Sequence, residues 1–220
     1  MTPRLHFDEQ LDQLNKEMLK MGSLIARALN GASFALAHND KRKARHIIAS
    51  DEQINRKERD IESLCIKLLL QQQPVARDLR TISAALKMIT DMERIGDQAA
   101  DICVIVVNSI VSLTSFEADH FPELIEATTT MVNNAVESFV RRDVEFTRKV
   151  IEEDARINSL FKAVRKELIE FIRSNEEMNE VAVDLLMVAK YLERIGDHAQ
   201  NIAEWVEYSL TGYYKGTVLG

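Results

Sequence analysis

Residues 93–97 read Glu-Arg-Ile-Gly-Asp, and residues 193–197 read Glu-Arg-Ile-Gly-Asp again. Around them Ala99 and Ile102 match Ala199 and Ile202. Upstream the correspondence continues at a slightly different offset: Asp40, Arg45, Ile48, Asp51, Ile54 and Asn55 answer to Asp143, Arg148, Ile151, Asp154, Ile157 and Asn158. The chain is therefore a duplication of a unit near 100 residues long. That unit is too long for a solenoid repeat and has the size of a small helical domain. What fills the unit follows from what is scarce. Of 220 residues, 7 are Gly and 3 are Pro, and between Ala32 and Thr211 only Gly96, Gly196, Pro74 and Pro122 occur. Sheets and loop-rich folds draw heavily on these two residues for their turns, so long helices are expected.

Apolar spacing divides each unit into three helices. Leu14, Met18, Met21, Ile25, Ala28 and Leu29 recur at helical intervals, and Asn39-Asp40 then supplies a turn and an N-cap. Ile47, Ile54, Ile61, Cys65 and Leu68 mark a second helix from about Lys41 to Gln72, ended by Pro74. Ile82, Leu86, Ile89, Gly96, Ala100, Cys103 and Val107 mark a third, reaching about Ser112. The second unit repeats this with helices near 122–141, 143–173 and 178–210, stopped by Gly212. Long helices joined by short turns pack as antiparallel neighbours. The expected fold is all-α, two tandem three-helix bundles: residues 1–116, then 117–212, with 213–220 as a loosely held tail.

Composition bounds the function. Hydrophobic content of 46%, charge of 29% and a net charge of −7 suit a soluble globular protein and lack the basic footprint of a duplex-binding one. Cys65 and Cys103 form no motif and read as reduced core residues, which with the absence of a basic-then-apolar leader points to the cytoplasm. The longest uncharged run, 102–116, is short for a membrane span. No phosphate-cradling glycine loop and no nucleophile setting is present. The one Glu-x-x-His pair, Glu117 and His120, lies in the connection between units, and the run Lys41-Arg42-Lys43 with Arg45 reads first as a solvated helix start.

The chemistry concentrates around the repeated pentapeptide. Glu93, Asp97 and Asp101 are spaced by four and share a helix face. At about 100° per residue, Glu93 points near the middle of the apolar stripe. Glu193, Asp197 and Asn201 repeat the series. A buried carboxylate needs a partner, a proton or a metal. Arg94 and Arg194 are adjacent in sequence, and adjacent residues face apart on a helix, so both are expected to turn away. The preceding helix offers better company. If helices two and three fold back around Pro74, Asp51 comes level with Asp97 and Asn55 with Glu93. The same arithmetic about residues 174–177 levels Asp154 with Asp197 and Asn158 with Glu193. Such a set of oxygens suits Mg²⁺, Mn²⁺, Ca²⁺ or iron, with zinc less suited because no Cys or His falls at ligand spacing. A plain solvated face is the alternative, weakened by the duplication. Gly96 costs helix stability, about 1 kcal/mol relative to Ala, so it must make room for a close helix or a metal cluster.

The paired pentapeptide, Gln72 to Arg80 before its first copy, and the Asp-x-x-Ile-Asn segments together resemble the PhoU family over residues 5–210. The resemblance implies a regulatory protein of bacterial phosphate-specific transport rather than an enzyme. It also implies a cytoplasmic homodimer linking the importer's ATPase subunit to a membrane sensor histidine kinase, peripheral to membrane complexes at most and with no nucleic acid. Some members carry multinuclear metal, iron included, on Glu/Asp-x-x-x-Asp faces. Carried over, this gives Glu93, Asp97 and Asp101, then Glu193 and Asp197, with iron, Mn or Mg foremost and Zn or Ca behind. Asn201 departs from that acidic pattern and leaves the second face less charged. The rival readings are a carboxylate-bridged metal hydrolase or oxidase, and a metal-free scaffold.

Overall fold

The computed structural model describes residues 3–71, 75–108, 119–174 and 179–218. Six helices run through them: α1 (Pro3–His38), α2 (Lys41–Gln71), α3 (Ala76–Asn108), α4 (His120–Arg141), α5 (Val144–Ser174) and α6 (Asn179–Thr211). The longest, α1, has 36 residues, about 54 Å at 1.5 Å per residue. The expected apolar stripes are the core. Leu14, Met18, Met21, Ile25 and Leu29 on α1 are fully buried, as are Ile61, Cys65 and Leu68 on α2. Burial pushes the thiols of Cys65 and Cys103 up to about 12, which keeps both protonated and inert. Pro74, the turn at 175–177, Ser112, Glu117 and the boundary at 116–117 lie outside the described residues.

The first turn of each unit is built alike. Asn39 and Arg142 adopt left-handed backbone, φ 50° and 54°, and the following aspartate caps the next helix. Asp40 Oδ1 accepts the Lys43 amide at 2.9 Å, and Asp143 Oδ1 accepts the Glu145 amide at 2.9 Å. Within a unit the three helices pack mutually; between units α3 lies along α6 and α1 meets α4. The α1–α4 approach is close: a Cβ placed on Gly22 would stand 2.5 Å from Val136 Cγ1. No helix among the described residues is long and apolar enough to cross a membrane.

Past Gly212, whose φ of 83° ends α6, the structure differs from the loose tail expected. Strand β1 (Tyr213–Tyr214) pairs antiparallel with β2 (Thr217–Val218). The Tyr214 ring stacks on Trp205 at 4.0 Å between centroids, and Lys215 Nζ reaches the buried Glu204 carboxylate at 3.0 Å. A ring stack and a cation for a buried acid hold the hairpin onto α6.

Candidate metal centre

In the first unit α2 contributes Asp51 and Asn55 and α3 contributes Glu93 and Asp97 along their seam, with Asp101 one turn further along α3, beside Tyr191 of α6. Asn55 Nδ2 donates to Asp51 Oδ2 at 3.2 Å. Partial burial, then the charge of Asp97, pushes the Asp51 carboxyl above its usual range. Glu93 and Asp101 are pushed up for the same two reasons in the same order. The level predicted from the fold-back is thus the level at which these charges interact. The second unit repeats it: Asn158 Nδ2 donates to Asp154 Oδ2 at 2.6 Å. Burial first, then Asp197 and Glu193, raises Asp154, and burial followed by Glu193 raises Asp197.

Three oxygens on the two seams are buried and accept no hydrogen bond: Asp51 Oδ1 and Asn55 Oδ1 in the first unit and Asp154 Oδ1 in the second. Buried acceptors without donors are costly, and they occur in both repeats at residues singled out by spacing. The donor chemistry, carboxylate and amide oxygen only, fits an oxygen-preferring cation. Among the described residues, however, no three His, Cys, Asp or Glu side chains converge as a ready-made cage.

Several placements correct the sequence reading. Arg94 does not turn away: its Nη1 donates to Asp97 Oδ2 at 3.1 Å and its Nε lies 3.5 Å from Glu93 Oε2. The rule that neighbours face apart describes Cβ directions, and a guanidinium reaches back past them. In the second unit Lys190 plays this part, 2.5 Å from Glu193 Oε2. Asn201 is not turned to the seam's carboxylates with its amide: Nδ2 donates to Asp91 Oδ1 on α3 at 3.2 Å. His198 Nδ1 sits on the same oxygen at 2.8 Å. Gly96 makes room for a close helix. A Cβ there would stand 2.8 Å from Ile54 Cδ1 and 3.3 Å from Asp51 Oδ1; at Gly196 it would meet Ile157 Cδ1 at 3.0 Å.

Sequence reasoning missed Glu58, which faces Glu93 and Arg94 and is pushed up by burial and then Glu62. It lies seven residues beyond Asp51, two helical turns along one stripe, but its repeat counterpart is Phe161, so a search by duplication passes over it. The phenol of Tyr191 on α6, hydrogen-bonded to Asp101 across the repeat boundary, had no signal in spacing at all.

Comparison with known proteins agrees with the duplication. The PhoU domain matches twice, at residues 18–106 and 121–206. A phosphate-specific transport system accessory protein PhoU homolog from Burkholderia sp is 35% identical, covering 94% of this chain and 89% of that one. The accessory protein PhoU of Escherichia coli (strain K12) is 27% identical, with 94% and 86% covered. The crystal structure of PhoU from Pseudomonas aeruginosa superposes with a TM-score of 0.88 at 30% identity, covering 94% of this chain and 100% of that one. That of the phosphate transport system regulatory protein PhoU from Streptococcus pneumoniae gives 0.86 at 27%, with 94% and 98% covered. With both repeats matched and the six-helix arrangement shared, the chain belongs to the PhoU family.

Proposed function

We propose that this protein regulates phosphate uptake as a cytoplasmic, metal-binding adaptor between a phosphate importer's ATPase subunit and a sensor histidine kinase, acting as a homodimer. The observation carrying the regulatory part is similarity over most of the chain to proteins named as accessory to phosphate-specific transport. Deleting the gene should switch on phosphate-starvation genes in high phosphate, read by reporter fusions. Unchanged expression would overturn the reading.

The metal part rests on the buried oxygens that lack donors in both repeats. Asp51, Asn55, Glu93, Asp97 and Asp101 would hold a cation in the first unit, and Asp154, Asn158, Glu193 and Asp197 in the second. A cation held there neutralises crowded carboxylates and can offer open positions to a partner's phosphate or carboxylate oxygens. This chain's own residues orient the donors: Asn55 and Asn158 each fix one aspartate oxygen and leave the other free. The pairing of Arg94 and Lys190 with the same carboxylates favours the rival, a metal-free scaffold. Elemental analysis of untagged protein purified without chelator separates the two, since metal lost in Glu93→Ala/Glu193→Ala supports the centre and metal-free folded wild type supports the scaffold.

A further inference from the structure

The turn between α1 and α2 in the first unit is strongly basic on an acidic protein. Lys41, Arg42, Lys43, Arg45 and His46 gather there, with Arg27 about three helical turns back along α1, and among the described residues none of these is in an ion pair. Behind them a cleft of about 470 Å³ opens between α1 and α2, lined by Arg27, Asn30, Phe34, Lys43, His46 and Ser50. Phe34 is 48% exposed, with the His38 ring stacked on it at 4.1 Å and Lys43 Nζ 6.0 Å from its centroid.

The fold does not require all of this charge, because the second repeat builds the same turn with less of it: Arg141, Arg142, Arg148 and Lys149 remain, and Arg141 is paired with Glu137 at 2.8 Å. Where the first unit has Lys41-Arg42-Lys43, the second has Val144-Glu145-Phe146. Its Arg148, counterpart of Arg45, is bonded to Glu207 at 2.7 Å. The corresponding cleft there carries Glu126, Glu153 and an Arg156 already paired with Glu123 at 2.8 Å. Local energetics also oppose the basic run: three cations stand in the first turn of α2 against the positive end of the helix dipole, with the Asp40 cap as the one carboxylate beside them. Charge kept at a cost to its own helix, around an open cleft with an exposed ring, is charge kept for a ligand.

We propose that the α1–α2 cleft of the first unit docks an acidic segment of a partner protein, its carboxylates on the basic rim and an aromatic side chain against Phe34. The concave shape favours a polypeptide over a membrane surface, which is flat and cannot enter the cleft. This face is separate from the α2–α3 seam, so it stands apart from the metal reading.

The probe is a fluorescein-labelled, glutamate-rich copolymer of Glu and Tyr, followed by anisotropy against the full chain in chelator. Saturable, salt-sensitive binding is expected, weakened about tenfold or more in Lys41→Gln/Arg42→Gln/Lys43→Gln. Arg27→Gln on the facing helix and Phe34→Ala should each weaken it as well, with helicity by circular dichroism unchanged. Polyglutamate without tyrosine should bind more weakly, and a Lys–Tyr copolymer should not bind. Equal binding of wild type and the triple variant would overturn the proposal, as would equal affinity for polyglutamate. So would flotation with phosphatidylglycerol vesicles in the absence of copolymer binding.

Discussion

Asp51 shows at the scale of one residue what the acidic seam does to the fold. Its carboxyl, like those of Glu93, Asp101, Asp154 and Asp197, is raised by burial before anything else. A raised folded value means that the folded state holds more protons than the unfolded chain between the two values. Stability therefore increases as pH falls through that window toward the ordinary 3.8 of Asp and 4.5 of Glu, and the charged penalty is complete above it. Glu17 opposes this at the acid end, since hydrogen bonds from Lys20 and Lys57 lower it and its contribution disappears below 4.5. Chelator-treated protein should accordingly resist urea better near pH 5 than at pH 7. Asp51→Asn should raise stability at pH 7 and flatten that slope, and equal urea midpoints at both pH values would contradict this. Gly96 makes a second residue-scale prediction. Gly96→Val would drive its methyls into Ile54, and overpacking of this kind costs about 1–3 kcal/mol, readable as a lower urea midpoint.

At the scale of the element, α2 carries its own conflict. Each cation at a helix N-terminus costs about 0.3–1 kcal/mol at low salt, so Lys41→Gln/Arg42→Gln should raise the melting temperature while weakening any acidic ligand. The hairpin after α6 makes a sharper test. Trp205 is the single tryptophan, and its indole is covered by Tyr214. Ending the chain after Thr211 should shift its emission to the red and leave Glu204 without Lys215, at a cost of about 1–3 kcal/mol. The helices themselves were legible from sequence because so few residues can interrupt them; α4, α5 and α6 begin and end within about two residues of the expected positions. The hairpin was not legible, because Gly-Tyr-Tyr-Lys-Gly is too short for periodicity and its anchor, a ring stack on α6, is tertiary.

At the scale of the molecule, the repeats meet along α3 and α6 through polar pairs that differ on the two sides. Asp101 accepts from Tyr191, whereas Asp91 accepts from Asn201 and His198. Spacing within one repeat placed Asp51 beside Asp97, because a hairpin obeys simple arithmetic. It could not place Asn201 against Asp91, because that contact depends on how two bundles dock. Asp91→Ala should strand two donors and cost about 1–3 kcal/mol, read by urea denaturation. The two sides are also not interchangeable. Positions 91 and 191 are repeat counterparts, as are 101 and 201. If two copies of the first repeat docked as the two repeats do here, Asp101 of one would confront Asp91 of the other. Like charges facing each other resist association, so residues 1–108 expressed alone should sediment as a monomer and pair readily with residues 119–218. Divergence after duplication has thus given the first half a built-in refusal of its own kind. It steers the chain to fold on itself rather than exchange halves with a neighbour.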